Sequence, residues 1–417
     1  MRKARSKENQ FTPGRIMKAY KAATAFFGNR NPDGSLPKQQ AVAKKLGLNP
    51  ARLSEFLQVA WAENIIDVII TPPRGISGRD HVLREMEAKL LKKLEPFSPP
   101  LVDKNGRELR EHKLLQIHVV SGGGEGMPFD SSNGRIDPVV HNHVMERVCR
   151  RAADEFYSLL KFEYEKMNVN GYLYCGIGWS QTCKQTVSLM RLSTDYFSNL
   201  VVCPLIGIIG HKFTSLDANA LATTLANALS GTSTKIPFPA LKPPDLDISR
   251  LRSVSRALED VEKCSIGISG IAPAYTERPN LNSGMLARKM IDREQLQELK
   301  ALRCVAELQG HYFDIHGRHI PTKKIGFVPV GVDAQQMQRM PIFMIVVGPK
   351  REKLLPAIVS IKAGICSHLV LEHNMARYIL SGKHDEELQL VSTGHGGLSL
   401  RRKSLDYHIA NRGRKTF

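Results

Sequence analysis

Gly176, Gly178, Ser180, Gln181 and Thr182 fall where an apolar run, 171–177, passes into a polar helix in GIGWSQTCKQTV. The glycines relax the turn. The hydroxyl and amide side chains then stand at a helix start, where backbone N–H groups point outward and favour an anion. This is the chemistry of a phosphate cradle. It is not a Walker loop, because no Gly-Lys-Ser/Thr follows. It is not a nucleophile elbow, because Ser180 lacks flanking glycines. VSGGGEGMPFD (120–130) is glycine-rich but is followed by no prompt helix start, so it reads as a mobile insertion. His141 and His143 in VVHNHVME have the types of metal ligands. No third ligand sits at a suitable spacing, so neither a metal nor a cofactor is expected. No carboxylate pair or Ser/His/Asp set stands out.

These groups need a scaffold. From Leu114 onward, LLQIHVV, GYLYCGIG, LVVCPLIG, KCSIGISG, KIGFVPV, IFMIVVG and SHLVLE are compact apolar runs. Helical stretches separate most of them, including 143–161, 217–229, 293–303 and 352–363. Such alternation predicts an α/β domain with a mostly parallel sheet, whose ligands sit at the carboxyl ends of the strands.

The N-terminal part has a different period. Val42, Ala43 and Leu46 mark a short helix that Gly47 ends. Asn49 caps a second helix, and Pro50 suits its first turn. That helix buries Leu53, Phe56, Leu57 and Ala60. Ala51, Arg52, Ser54, Glu55 and Gln58 are left to face outward. The pattern is that of an all-α helix-turn-helix, with or without a wing. Its second helix would read the DNA major groove, and Gln39, Gln40 and Asn49 would join the contact surface. A small helical hairpin without DNA is the competing reading. An earlier helix is expected around Ile16 to Phe27 and a short strand over Asn64 to Ile70.

The 417 residues suffice for two or three domains, and a hydrophobic fraction of 42% fits a packed core. A net charge of +19 favours polyanionic partners. Arg2, Lys3, Arg5 and Lys7 open the chain, and Arg401, Arg402, Lys403, Arg412, Arg414 and Lys415 lie near its end. Both segments read as basic arms. The seven cysteines include no CxxC pair, and several lie in apolar runs. That suits a reducing cytoplasm. No signal core or membrane-length apolar stretch is seen. The expected organisation is a basic arm (1–12), a helix-turn-helix domain (13–71), a linker with a possible dimerisation helix (72–100), an α/β domain (101–383) and a polar basic tail (384–417). The dimerisation stripe would be Leu83, Met86, Leu90 and Leu94.

Taken in order, these pieces resemble the SorC family of bacterial sugar-responsive transcriptional regulators, over about residues 15–382. KKLGLNPARLSEFLQVAWAENII matches the first domain. CGIGWSQT, LVVCPLIGIIG with DANALATTLANAL, CVAELQGHYFDIHG, MPIFMIVVGPKREKLLPAI and SHLVLEHNMARYIL match successive blocks of the second. The resemblance implies a fold like that of sugar-phosphate isomerases and deaminases. It implies that Ser180, Gln181 and Thr182 hold an effector phosphate, that Lys353 adds a charge to it, and that Glu307 bonds a sugar hydroxyl. Asp217 and Asn219 stand at further polar contacts. The chain departs from the family where Ser180 replaces a glycine, Val347-Gly348 replaces paired glycines and Glu372-His373 replaces an Asp-Glu pair. Ile206 stands in place of an arginine for a second phosphate, which points to a monophosphate effector. The implied function is a cytoplasmic regulator that binds a double-stranded DNA operator under control of a phosphorylated sugar. It would be a homodimer or homotetramer, away from any membrane. The alternative is a sugar-phosphate isomerase or deaminase with an appended helical domain.

Overall fold

The structure is a computed structural model. It describes residues 18–19, 21–23, 25–26, 38–62, 78–121, 138–167, 171–190, 197–210, 214–276 and 283–382. The chain divides into two compact units, Met1–Ser77 and Gly78–Phe417. The expected arm, the strand over Asn64 to Ile70, the tail, and the 123–138 insertion apart from its last residue lie outside the described residues.

In the first unit, α1 (Gln39–Lys45) and α2 (Pro50–Ala62) form the expected hairpin. Gly47 turns the chain between them at φ +65°, a conformation that costs glycine little. Asn49 Oδ1 accepts the Arg52 N–H at 2.7 Å, so Asn49 caps α2. Val42, Ala43, Leu53, Phe56 and Leu57 pack with Ala19, Ala22 and Ala23 in one small core.

The second unit is built on a seven-stranded sheet. Its strands are β1 (Gln116–Val120), β2 (Leu173–Ile177), β3 (Leu200–Pro204), β4 (Thr232–Ser233), β5 (Ile266–Gly270), β10 (Ile342–Val346) and β11 (His368–Glu372). Between β5 and β10 come β6 (Ala272–Pro273), β7 (Cys304–Leu308), β8 (His311–Asp314) and β9 (His319–Ile320), which form a separate antiparallel sheet. The large sheet runs β1-β11-β10-β5-β2-β3-β4, and every pairing in it is parallel. β5, β10 and β11 are buried along their whole length, as a sheet covered on both faces requires.

On one face lie α4 (Pro138–Glu165), α5 (Gln181–Ser188) and α6 (Ala218–Ala228), through residues such as Val148, Phe156, Val187 and Leu225. On the other lie α3 (Gly78–Leu94), α7 (Arg252–Glu262), α11 (Leu354–Lys362) and α12 (His373–Leu380); α8 (Gly284–Ala287), α9 (Arg293–Ala301) and α10 (Ala334–Arg339) come between α7 and α11 in the chain. From β2 the chain moves through β3 to β4 at one edge. It then re-enters at β5, on the other side of β2, and continues to β10. The β2–β5 boundary is therefore a topological switch point, where ligands of such sheets bind.

Two expectations are corrected and one strand is new. KIGFVPV is not a strand of the large sheet: only Val328–Pro329 pairs, antiparallel to Leu241–Lys242. The seventh parallel strand is the two-residue β4, too short to show a pattern. The stripe on α3 faces this unit's own core. Leu90 and Leu94 are fully buried there, with Leu83 and Met86 packed against the same cluster. It is not an open surface for a second chain.

Burial leaves a titratable signature. It lowers the pKa of His311 and of His368 from 6.5 to about 4. Each ring is neutral when folded but takes a proton below 6.5 when unfolded. Stability present above 6.5 is therefore lost as the pH falls toward 4, at up to about 1.4 kcal/mol per pH unit for each ring. Glu307 acts in the opposite sense: its pKa is raised by burial from 4.5 to about 7, so acid stabilises its folded form. Urea unfolding between pH 7 and 4.5 should therefore give a smaller acid loss in a His311→Gln/His368→Gln variant than in the wild type. An unchanged slope would move the acid sensitivity to other groups.

Candidate functional site

The switch point is held open by two missing side chains. At Gly178, just past β2, a Cβ would lie 2.3 Å from Gln309 Nε2 and 2.7 Å from Ser269 Oγ. At Gly270, the end of β5, a Cβ would lie 2.6 Å from Ser180 Oγ. The Gly178 N–H also donates to the Ile268 carbonyl at 2.9 Å. The loop after β2 can sit against the end of β5 only because both positions are glycine.

That loop leads into α5. Ser180 caps it, its Oγ accepting the Cys183 N–H at 2.8 Å. Gln181 is exposed and Thr182 is buried. Thr182 Oγ1 has no hydrogen-bond partner. A buried hydroxyl without a partner is costly, and a ligand oxygen would satisfy it.

Lys353 arrives from a distant block. It ends the short turn Arg351–Lys353 that follows β10 and precedes α11. Its Nζ lies 3.7 Å from where a Cβ on Gly348 would be. The ammonium is close enough to act on the Cys183 and Cys149 thiols; Cys183 is the third residue of α5. Burial, then Lys350, lowers the Lys353 pKa, while Glu352 opposes them. A helix start and a half-buried ammonium thus share the carboxyl end of the sheet.

Glu307 lies on β7. Its Oε1 accepts the Gly310 N–H at 2.8 Å. Burial raises its pKa to about 7, against the pull of Gly310 and the nearby Arg288. Asp217 and Asn219 are engaged by the backbone. Asp217 Oδ1 accepts the Asn219 N–H at 2.9 Å, and its Oδ2 accepts the Ile209 N–H at 3.0 Å. Asn219 Oδ1 accepts the Ile236 N–H at 2.8 Å, while its buried Nδ2 has no hydrogen-bond partner. Ile206 is fully buried.

Four neighbours carried no signal in the sequence. Gln309 Nε2 donates to Ser269 Oγ at 2.7 Å, and Gln309 Oε1 accepts from the Trp179 N–H at 3.4 Å. The Arg288 guanidinium stacks over Trp179 at 4.5 Å and donates to the Gly284 carbonyl at 2.9 Å. Gln309 and Gly310 form the two-residue link between β7 and β8, with φ of +53° and +80°. A two-residue hairpin with both φ positive demands a Gly at one position. The Gln-Gly pair was the available clue to the turn, but nothing in it gave the role of the Gln309 amide.

In the first unit, Gln39, Gln40, Asn49, Ala51 and Arg52 are exposed, and Ser54 and Glu55 are half-buried. Arg52 pairs with Glu55 at 2.8 Å and lies over the Phe56 ring at 5.3 Å. The Gln58 side chain lies outside the described residues. Among the described residues, no group of three or more His, Cys, Asp or Glu could hold a metal ion, and no helix is long and apolar enough to cross a membrane.

A family model described as "Putative sugar-binding domain" matches residues 128–381. No curated protein matches the chain. Among solved structures, the full-length sorbitol operon regulator SorC from Klebsiella pneumoniae is 15% identical, with a TM-score of 0.52, over 88% of this chain and 99% of that one. A DeoR family transcriptional regulator from Listeria monocytogenes is 18% identical, with a TM-score of 0.53, over 72% and 99%. A transcriptional regulator from Streptococcus pneumoniae is 15% identical, with a TM-score of 0.55, over 74% and 100%. At these identities the likeness is one of fold. The resemblance to SorC regulators read from the sequence is borne out, and the chain belongs to the sugar-binding domain family.

Proposed function

We propose that the protein is a DNA-binding transcriptional regulator whose second unit takes a phosphorylated sugar that controls its operator affinity. The observation that carries this reading is the meeting of Lys353 with the start of α5 at the switch point of the sheet. An ammonium and free helix N–H groups suit a phosphate, and a buried carboxylate such as Glu307 suits sugar hydroxyls. The hairpin of the first unit supplies a helix-turn-helix, and the net charge favours DNA. The fold neighbours are named as regulators, which favours this reading over a sugar-phosphate enzyme. All seven cysteines are free and buried, in keeping with a cytoplasmic setting. The absence of an arginine at Ile206 favours a monophosphate over a bisphosphate. Asp217 and Asn219 act here by shaping the wall beside the ligand, since three of their side-chain oxygens hold backbone N–H groups.

Calorimetry with a panel of pentose and hexose phosphates tests the site. Lys353→Met should weaken the ligand about tenfold or more, the usual scale for losing a charge-assisted bond of roughly 1.5–3 kcal/mol. Thr182→Val should also weaken it, yet leave the unliganded fold as stable or more so, because it removes an unpartnered buried hydroxyl. Equal affinity in wild type and both variants would remove the phosphate cradle.

On operator DNA, Arg52→Ala should cost about 1–3 kcal/mol if Arg52 reads a base edge. It should leave thermal unfolding nearly unchanged, because the exposed Arg52–Glu55 pair contributes little. Full affinity for the upstream region of its own gene would exclude α2 as the recognition helix.

Paired half-sites require at least a dimer. Light scattering should find a dimer or tetramer at micromolar concentration without DNA. Its interface must lie away from the α3 stripe, so Leu83→Ala should lower stability without dissociating the assembly. A monomer throughout would refute the assembly.

A further inference from the structure

We propose that His141 and Lys350 belong to the same phosphate site, forming with Lys353 a cluster of three basic side chains that takes a doubly charged oxyanion. The proposal rests on the reading of Lys353 given above and extends it to two residues outside the α5 loop.

His141 lies in the first turn of α4, and Met145 follows one helical turn later on the same face. The Met145 Cε would lie 2.5 Å from a Cβ on Gly348, and the Lys353 Nζ 3.7 Å from it. The first turns of α4 therefore pass beside Lys353. Lys350 is fixed nearby by the tight turn after β10. Its N–H donates to the Gly348 carbonyl at 2.7 Å, and the Lys353 N–H donates to the Lys350 carbonyl at 3.0 Å.

The electrostatics agree with this placement. Burial, then Lys350 and Lys353, hold the pKa of His141 below its ordinary value. Lys350 in turn lowers that of Lys353, with Glu352 opposing it and the Cys183 and Cys149 thiols on the near side. Like charges crowded at the end of a sheet are unfavourable unless an anion lies among them. The buried Thr182 Oγ1, in the first turn of α5, supplies a further unmet hydrogen-bonding group.

The cluster also makes a chemical choice. Burial first, then the two lysines, disfavours a charge on His141; a dianion would offset both, so binding should draw a proton onto the imidazole. A singly charged diester would do so less, and a neutral sugar not at all. The site is thus matched to a phosphate monoester.

Sulfate is the suitable probe. It stays doubly charged between pH 6 and 8, whereas a phosphate monoester titrates near pH 6 and would mix its own proton into the signal. Calorimetry of sulfate with the full chain, in two buffers of different ionisation heat, reads the protons taken up. The wild type should take up part of a proton at pH 7 and bind more tightly as the pH falls. His141→Gln should lose both that uptake and the gain in affinity at lower pH. Lys350→Met should bind several-fold more weakly. Unchanged proton uptake in His141→Gln, with binding abolished in Lys353→Met, would overturn this proposal and leave the phosphate reading intact. No sulfate binding by the wild type, or binding indifferent to Lys353→Met, would overturn both.

Discussion

The candidate site depends on a close approach: the loop after β2 lies against the end of β5 with no side chain between them. A methyl group at Gly178 would meet the Gln309 amide and Ser269, and one at Gly270 would meet Ser180. Two further features of the site follow from that contact. Ser180 reaches its capping position on α5 because Gly270 leaves room for its hydroxyl. Gln309 bridges Ser269 and the Trp179 N–H because Gly178 leaves room for its amide. The sheet supplies the reason why the approach happens here. A parallel sheet covered on both faces is open only at its ends, and at the switch point the connections leave in opposite directions.

Gly178 was legible because it stands in a glycine pair where an apolar strand ends; Gly270 was read only as the last residue of the apolar run KCSIGISG. The six long parallel strands were legible for a related reason: a strand buried on both faces is a continuous apolar run. The same logic failed for KIGFVPV, which is apolar because Ile325 and Phe327 pack into one core cluster and Val330 into another. It also failed for β4, whose two residues carry no period. The α3 stripe was ambiguous in principle. A heptad-like row of Leu83, Met86, Leu90 and Leu94 has the same spacing whether it faces another chain or its own sheet. Only three-dimensional packing separates the two.

Polar residues were the hardest to assign. Asp217 and Glu307 are both acidic residues in matching family blocks, and the sequence gives them equal standing. Their surroundings differ. Asp217 has both oxygens on backbone N–H groups and caps α6. Glu307 holds one backbone N–H, sits near Arg288, and is buried enough to raise its pKa to about 7. Lys113 gives the same lesson from outside the site. It is fully buried, donates to the Gln338 and Met340 carbonyls, and has its pKa lowered to about 7. Residue type alone does not separate this structural lysine from Lys353; only the family block marks Lys353. The difference is the direction each ammonium faces: backbone carbonyls for Lys113, the start of a helix for Lys353.

That difference bears on the proposed control of DNA binding. A group whose hydrogen bonds are already satisfied gains little from a ligand and can transmit little. Asp217 and Lys113 are of this kind. Thr182 and the Asn219 amide are buried with unmet hydrogen-bonding capacity, and Lys350 and Lys353 repel each other while holding His141 below its ordinary pKa. A bound oxyanion can relieve these costs together, and the relief becomes differential binding energy between the empty and filled states. An effector can shift an equilibrium only by such a difference. His141, Thr182 and Asn219 lie in the first turns of α4, α5 and α6, the three helices that cover one face of the sheet. On the proposed reading, the ligand acts through the packing of that helical layer.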